Sequence, residues 1–384
     1  MSGANDAAVA KVVDGTAWTE FCELLAKAGA VITREDLETT AFDRAEGLRY
    51  LSRLLRAGLA SFVEATGPAH PVFSPLPDLV KMGLDNPDNY YLSASIDARR
   101  DYRIRGRRQT IHYLSFAAQN QNFAARERIS GGAGHLNDSE LVLEPDGSFE
   151  IVASQREQPG NWLRLAPDTV QILARQTFLD RANERPVELA IECLGASGPP
   201  APLNPARVPG SLLGAARYAI GCAQWFADWV IAFRDKAPLN AFHLPGLEDH
   251  RLVGGDPNIR LWLGRWRLAP GEALVIDATP PKCHYWNFQL GNVWAESLDH
   301  RFQRVHINSG QAVYRADGSF QLVVAHEDPG LPNWISTAGH EHGVMGLRWV
   351  LAESHPEPRS RVVQVAELRS RETTSSMDRY SSTE

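Results

Sequence analysis

Apolar residues recur every three or four positions across 41–65, where Leu48, Leu51, Leu54, Leu55, Leu59 and Phe62 make one stripe with Arg53 and Arg56 beside it. That period predicts an amphipathic helix, and the spacing over 17–29 predicts a shorter one. The run GPAHPVFSPLPDL (67–79) ends this helical part, because proline removes a backbone donor and clashes with the preceding turn. From about residue 90 the period changes to two. YLSASIDARRDYRIRGRRQTIHYLSFAA reads as two or three strands, and LVLEPDGSFEIVAS as a hairpin turning at Pro-Asp-Gly.

A second break, GASGPPAPLNPARVPG (195–210), leads into the apolar run LLGAARYAIGCAQWFADWVIAF (212–233), and β-like alternation resumes over roughly 258–352. The two β regions share landmarks in one order. HYLSF begins at His112 and HYWNF at His284; DGSF begins at Asp146 and again at Asp317; Asn-Trp stands at 161–162 and 333–334; Arg175 and Arg348 each sit in an apolar run. One shared turn could be coincidence, but four landmarks in register point to an internal duplication. The expected fold is therefore mainly β: two duplicated β-sandwich or jelly-roll-like units with an N-terminal helical segment and a connecting helix. The expected partition is 1–66 helical, 67–194 first β unit, 195–257 linker and helix, 258–366 second β unit, and 367–384 a polar, disordered tail.

Composition narrows the function classes. A chain of 384 residues exceeds what one core usually serves. With 39 basic and 46 acidic residues the net charge is −7, which supplies no field for nucleic acid or an anionic membrane. Four scattered cysteines, with no CxxC, suit a reducing cytoplasm rather than a disulfide framework or zinc knuckle. The first residues lack the apolar core of a signal peptide. Arg217 and Asp228 interrupt the 212–233 run, which reads as a buried helix rather than a membrane span. GGAGH (131–135) lacks a βαβ setting, and no GxxxxGK[ST] or GxSxG occurs.

Candidate chemistry concentrates in the second β unit. Along CHYWNFQLGNVWAESLDH, alternation puts Tyr285, Asn287 and Gln289 on one face and Trp286, Phe288 and Leu290 on the other. The polar row reads either as a cavity lining or as a solvent-facing row beside a core row. Glu296 and Asp299 follow as the strand ends, and could divide acid and base roles or simply cap a turn. TAGHEHG supplies His340 and His342, which would share a face on a strand and could bind a metal with His326 or Asp328. A single histidine as proton shuttle fits the pattern better. The run RRDYRIRGRR (99–108) puts Arg103, Arg105 and Arg107 on one strand face, either as a solvated edge or as a receptor for a ligand carboxylate.

The segments GLDNPDNYYLSASID, DGSFEIV and NWLRLAPD, with CHYWNFQLGNVWAESLD and DGSFQLVVAHEDPGLPNWISTAGHEHG, resemble the bacterial domain-of-unknown-function family 1214. The resemblance runs from about residue 41 to 365. It implies β-sandwich or jelly-roll-like units with helical additions, often in organisms that degrade aromatic or hydrophobic compounds, and no settled activity, cofactor or catalytic set. The positions it carries over are Trp286, Gln289, Asn292, Trp294, Glu296, Asp299, Asp328, Asn333, Trp334, His340 and Arg348. His112 and the arginines of 99–108 depart from its usual pattern.

Together these readings favour a cofactor-independent enzyme on a bulky, aromatic small molecule, held among Trp286, Trp294 and Trp334 with Asn287, Gln289, Asn292 and Asn333. Arg103 or Arg105 would meet a carboxylate if the substrate carries one. His340 would transfer a proton with Glu296 or Asp299, while Tyr285, Asn287, Gln289 or Arg348 holds an oxyanion. A lyase breaking a C–C or C–O bond beside an aryl group fits, for example by loss of formaldehyde or water. The alternatives are a non-catalytic binding protein and a metal-dependent hydrolase using His340 and His342. No bound metal, nucleic acid or membrane is expected, and a homodimer is compatible.

Overall fold

The helical stripe of the sequence folds as α4 (Ala41–Leu59), preceded by α1 (Ser2–Val13), α2 (Thr16–Ala26) and α3 (Gly29–Ile32). Thr40 caps α4 through its side chain, which accepts from the Asp43 amide while the Asp43 carboxylate takes the Thr40 amide. The buried face differs from the predicted stripe: Tyr50, Leu54, Ala57 and Gly58 point inward, and Leu48 is exposed. The cause is a close crossing with α5 (Val208–Ala232), where a Cβ on Gly58 would lie 2.7 Å from the Ala215 carbonyl. Small residues let the two backbones approach at Gly58, while Leu55 and Leu59 pack beside Leu212 and Ala216 of α5. None of the described helices is long and apolar enough to cross a membrane.

The computed structural model describes residues 2–65, 67–75, 80–120, 123–124, 134–246 and 255–369. Part of the Pro-rich break (76–79), most of GGAGH (131–133) and the polar tail from 370 lie outside them.

The first repeat contributes β1 (Ser74–Pro75), β2 (Asn89–Ser95), β3 (Tyr102–Arg107), β4 (Tyr113–Gln119), β5 (His135–Asn137), β6 (Ser148–Ser154), β7 (Trp162–Arg164), β8 (Gln171–Thr177) and β9 (Glu188–Cys193). The second contributes β10 (Phe242–His243), β11 (Ile259–Arg267), β12 (Glu272–Ala278), β13 (Tyr285–Gly291), β14 (His306–Asn308), β15 (Phe320–Ala325), β16 (Trp334–Ser336), β17 (His342–Val350) and β18 (Arg359–Gln364). Sheet orders are β1-β2-β8-β4-β5 and β7-β6-β3-β9 in the first, and β10-β11-β17-β13-β14 and β16-β15-β12-β18 in the second. Strand for strand these are the same order. The duplication expected from four sequence landmarks is thus a duplication of topology.

The paired motifs explain themselves in this frame. Gly147 and Gly318 both sit at φ 81°, a left-handed conformation that a turn assigns to glycine. Phe149 and Phe320, two residues on, are buried in the cores of their units. Asn161 accepts from the Val142 amide and donates to the Val142 and Glu150 carbonyls; Asn333 does the same with Val313 and Gln321. Trp162 and Trp334 donate their indole N–H to the Ser154 and Ala325 carbonyls. Asn-Trp therefore ties a loop to the neighbouring strand in each repeat.

The chain forms two compact units, and each includes a short segment from just before the first long strand of the other repeat. Met82–Pro87 belongs with the second unit and Gly246–Pro257 with the first. Each unit has an apolar core between its two sheets: Leu114, Phe116, Ile151 and Ile172 among others in the first, and Trp286, Phe288, Leu322 and Leu347 in the second.

Candidate functional site

In the second unit, strand alternation delivers the two faces read from the sequence. Trp286, Phe288 and Leu290 enter the core, and Tyr285, Asn287 and Gln289 face the other way. That polar row is completely buried, beneath Met82–Pro87. Asn287 Nδ2 donates to Asn86 Oδ1 at 2.7 Å, Asn86 Nδ2 to the Tyr285 hydroxyl at 3.4 Å, and Gln289 Nε2 to the Asp85 carbonyl at 2.8 Å. Arg348, opposite Asn287 on β17, donates to Gln289 Oε1, Asn287 Oδ1 and the Leu84 carbonyl. Leu84 is held at φ 55°, with its amide on the Ala295 carbonyl at 2.6 Å. Glycines make room for it: a Cβ on Gly291 or Gly346 would meet the Leu84 methyls at 2.6 and 2.7 Å. Tyr285, Asn287, Gln289 and Arg348 are thus brought together, as the underside of a segment that hydrogen-bonds to them.

The other sequence candidates are placed separately. Trp286 stacks on Phe320 with ring centroids 4.1 Å apart and meets Trp349 edge-on, so it packs the core. Trp294 is fully buried, and Trp334 packs beside Val323 in a smaller cluster. Glu296 is buried and accepts from Asn292 Nδ2 at 2.9 Å, while Asn292 Oδ1 takes the Trp294 and Glu296 amides. Asp299 forms a half-exposed pair with Arg301 at 2.8 Å. His340 lies in the turn before β17, its Nδ1 3.2 Å from the Thr337 carbonyl; His342 alone is on the strand, so the two do not share a strand face. His326 is held between Thr337 Oγ1 and the Leu268 carbonyl, and Asp328 accepts from the Gly330 amide. Among the described residues no three His, Cys, Asp or Glu side chains could hold a metal ion together. In the first unit, Arg103 and Arg105 form an exposed ladder with Glu150 and Glu192.

A cluster that the sequence reading missed occupies the equivalent place in the first unit. Ser115 pairs with Arg175 across β4 and β8 as Asn287 pairs with Arg348, and Ala117 faces His135 as Gln289 faces His306. Asp256, three residues before β11, takes the role of Asn86, three residues before β2. Its side chain is 0% exposed; one carboxylate oxygen accepts from Ser115 Oγ at 3.0 Å and the Tyr113 hydroxyl at 3.3 Å, and His135 Nε2 lies 2.8 Å from the same oxygen. His135 retains 11% side-chain exposure and Arg175 is buried beside the cluster. Burial, with the Asp256 charge beside it, pushes the Tyr113 phenol well above its ordinary value, so it stays a neutral donor. A carboxylate beside an imidazole can support proton transfer, and a guanidinium can stabilise developing negative charge. One signal was present in the sequence: HLN (135–137) and HIN (306–308) recur at the repeat spacing, as do Asn86-Pro87 and Asp256-Pro257.

The profile of a family described as a protein of unknown function (DUF1214) matches residues 92–177 and 273–352, one stretch in each repeat. An uncharacterized protein from Burkholderia cenocepacia of known crystal structure shares 42% identity, with 94% of this chain and 99% of that chain covered and a TM-score of 0.89. The VPA0106 protein from Vibrio parahaemolyticus gives 11% identity over 82% of this chain and 97% of its own, with a TM-score of 0.47. No curated protein matches the chain. With both repeats matched and a close structural relative along nearly its whole length, the chain belongs to the DUF1214 family.

Proposed function

We propose that the protein is an enzyme that acts on a small molecule by proton transfer, with its site in the first unit at His135 and Asp256. One observation carries the reading. At matching positions of a duplicated fold, the second unit has amides bonded to its own chain, whereas the first has a carboxylate buried against an imidazole, a hydroxyl and a phenol. Burying a charge is costly unless it is paired and hydrogen-bonded, so such a cluster is more than a neutral packing solution. In this reading Asp256 fixes the His135 ring, and Nδ1, the nitrogen away from Asp256, takes and returns the proton. Arg175, buried on the strand paired with Ser115, would stabilise the negative charge that develops.

The reaction class is the lyase step expected from the sequence, on a substrate bearing an aryl group. In loss of formaldehyde, the imidazole takes the proton of a hydroxymethyl group and the C–C electron pair passes to the carbon beside the ring. The proton then returns to that carbon. The family setting supports the aryl group by analogy alone. The test incubates the purified protein with aryl-propanoid dimers bearing hydroxymethyl groups and measures released formaldehyde. His135→Ala is expected to lower turnover at least a hundredfold with the fold intact. Full activity in that variant refutes the proposal.

A further inference from the structure

The two repeats end on matching edge strands of opposite charge. Among the described residues, β9 closes one side of its sheet and pairs only with β3, and β18 closes the equivalent sheet and pairs only with β12. Backbone N–H and C=O groups alternate in direction along such a strand, and the bond that continues each ladder fixes which residues point outward. The Leu194 amide donates to the Asp101 carbonyl, so Glu188, Ala190 and Glu192 bond to β3 while Leu189 and Ile191 present their groups to the open edge. The Val365 amide donates to the Gly271 carbonyl, so Arg359, Arg361 and Val363 bond to β12 while Ser360, Val362 and Gln364 face outward. The side chains differ in sign. Glu188 and Glu192 stand exposed on β9, Arg359 and Arg361 on β18, and Val362 is an exposed apolar side chain between them.

We infer that β9 of one copy of this chain pairs antiparallel with β18 of a second copy, Leu189 opposite Val362 and Ile191 opposite Ser360. All four residues point their backbone groups outward, so each pair exchanges two hydrogen bonds, and the Leu189 and Val362 side chains meet. On the other face Glu192 comes opposite Arg359, and Glu188 lies diagonally across from Arg361. The pairing ends where the strands stop offering groups. Beyond Ile191 the next pair is Cys193 with Pro358; the Cys193 carbonyl already takes the Ala196 amide, and proline has no N–H. Beyond Leu189 it is Val187 with Gln364, and both backbone groups of Val187 are held by Gln176. Charge disfavours pairing of like edges. β9 against itself about Ala190 sets Glu188 opposite Glu192, and β18 against itself about Arg361 sets that arginine opposite its own copy. Each copy carries one edge of each kind, so the contact is heterologous, and it is independent of the Asp256 site.

The test is sedimentation equilibrium of the full chain over roughly 10–500 µM, a range suited to one strand pair, which is smaller than a stable interface. The weight-average mass should rise above that of one chain as concentration increases. Arg359→Glu sets a carboxylate opposite Glu192 and should weaken association about tenfold, whereas Arg359→Lys should retain it. Val362→Pro deletes an outward amide, spares the bonds to β12 and should abolish association. The mass of a single chain at every concentration overturns the inference, as does association that survives Arg359→Glu or Val362→Pro. Association strengthened by Arg359→Glu overturns it too, since that result belongs to β18 edges pairing with each other. If Val362→Pro fails to fold, hydrogen exchange of the unmodified chain replaces it. The Leu189 and Ile191 amides should then exchange more slowly at the highest concentration than at the lowest, and equal rates overturn the inference.

Discussion

Replacing Arg348 by methionine should expose its role in the second unit. Arg348→Met leaves Gln289 Oε1, Asn287 Oδ1 and the Leu84 carbonyl without the donor they share, in a site where all three residues are buried. Each hydrogen bond from a charged donor contributes about 1.5–3 kcal/mol net, and part of that is offset because the guanidinium no longer has to be buried. Removing one partner from a buried charged network costs about 3–5 kcal/mol. That is the loss expected for the second unit, and it also loosens Met82–Pro87, which Arg348 grips at Leu84. For a unit of this size it corresponds to a fall in Tm of roughly 6–20 °C. Arg348→Lys keeps the charge and one donor arm but loses the fork, so its loss should be smaller than that of Arg348→Met by at least about 1.5 kcal/mol, the value of one charged hydrogen bond. Scanning calorimetry of both variants, with tryptophan fluorescence reporting on the core around Trp286 and Trp349, measures the difference. Equal losses in the two variants, or no loss in Arg348→Met, would refute the assignment of Arg348 to the fold of the second unit.

Three further outcomes follow from the geometry. Asn161→Ala and Asn333→Ala should each destabilise by about 1–3 kcal/mol and by similar amounts, because each loses the same three loop bonds; urea denaturation checks this. Gly343→Ala would bring a Cβ to 2.2 Å from the Gly291 carbonyl and should cost about 1–3 kcal/mol through backbone shift, read as a lower Tm. The Asp97 carboxyl, bonded by the Arg99 side chain and amide, titrates at about 2 against an ordinary 3.8. Its folded value is depressed, so its contribution to stability is complete above the ordinary value and is lost as pH falls from there through about 2. NMR titration should find that midpoint and see it rise in Arg99→Ala.

Periodicity and repetition made most of the fold readable. Alternation alone separated Trp286 and Phe288 from Tyr285, Asn287 and Gln289 on the two faces of β13, and the DGSF and Asn-Trp landmarks located the same turn and loop anchor in both repeats. The tryptophan-rich composition of the second unit pulled the other way. It suggested an aromatic chamber, yet Trp286 packs on Phe320 in the core and Trp334 is tied to a neighbouring strand. What covers the polar row was not readable, because its partners are distant in sequence: Asn287 and Asn86 are 201 residues apart, and Ser115 and Asp256 are 141 apart. Local patterns report which face a residue takes and say nothing of which remote segment will meet it. The departure of one repeat from the other, Asp256 for Asn86 and Ala117 for Gln289, gained meaning only once the strand register aligned them.

A crystal structure of the protein with a bound aryl-propanoid dimer tests the central claim most directly. The account predicts density for the ligand beside His135 and Asp256, with Met82–Pro87 still seated on Arg348. A ligand bound instead at Arg348, with that segment displaced, would contradict it.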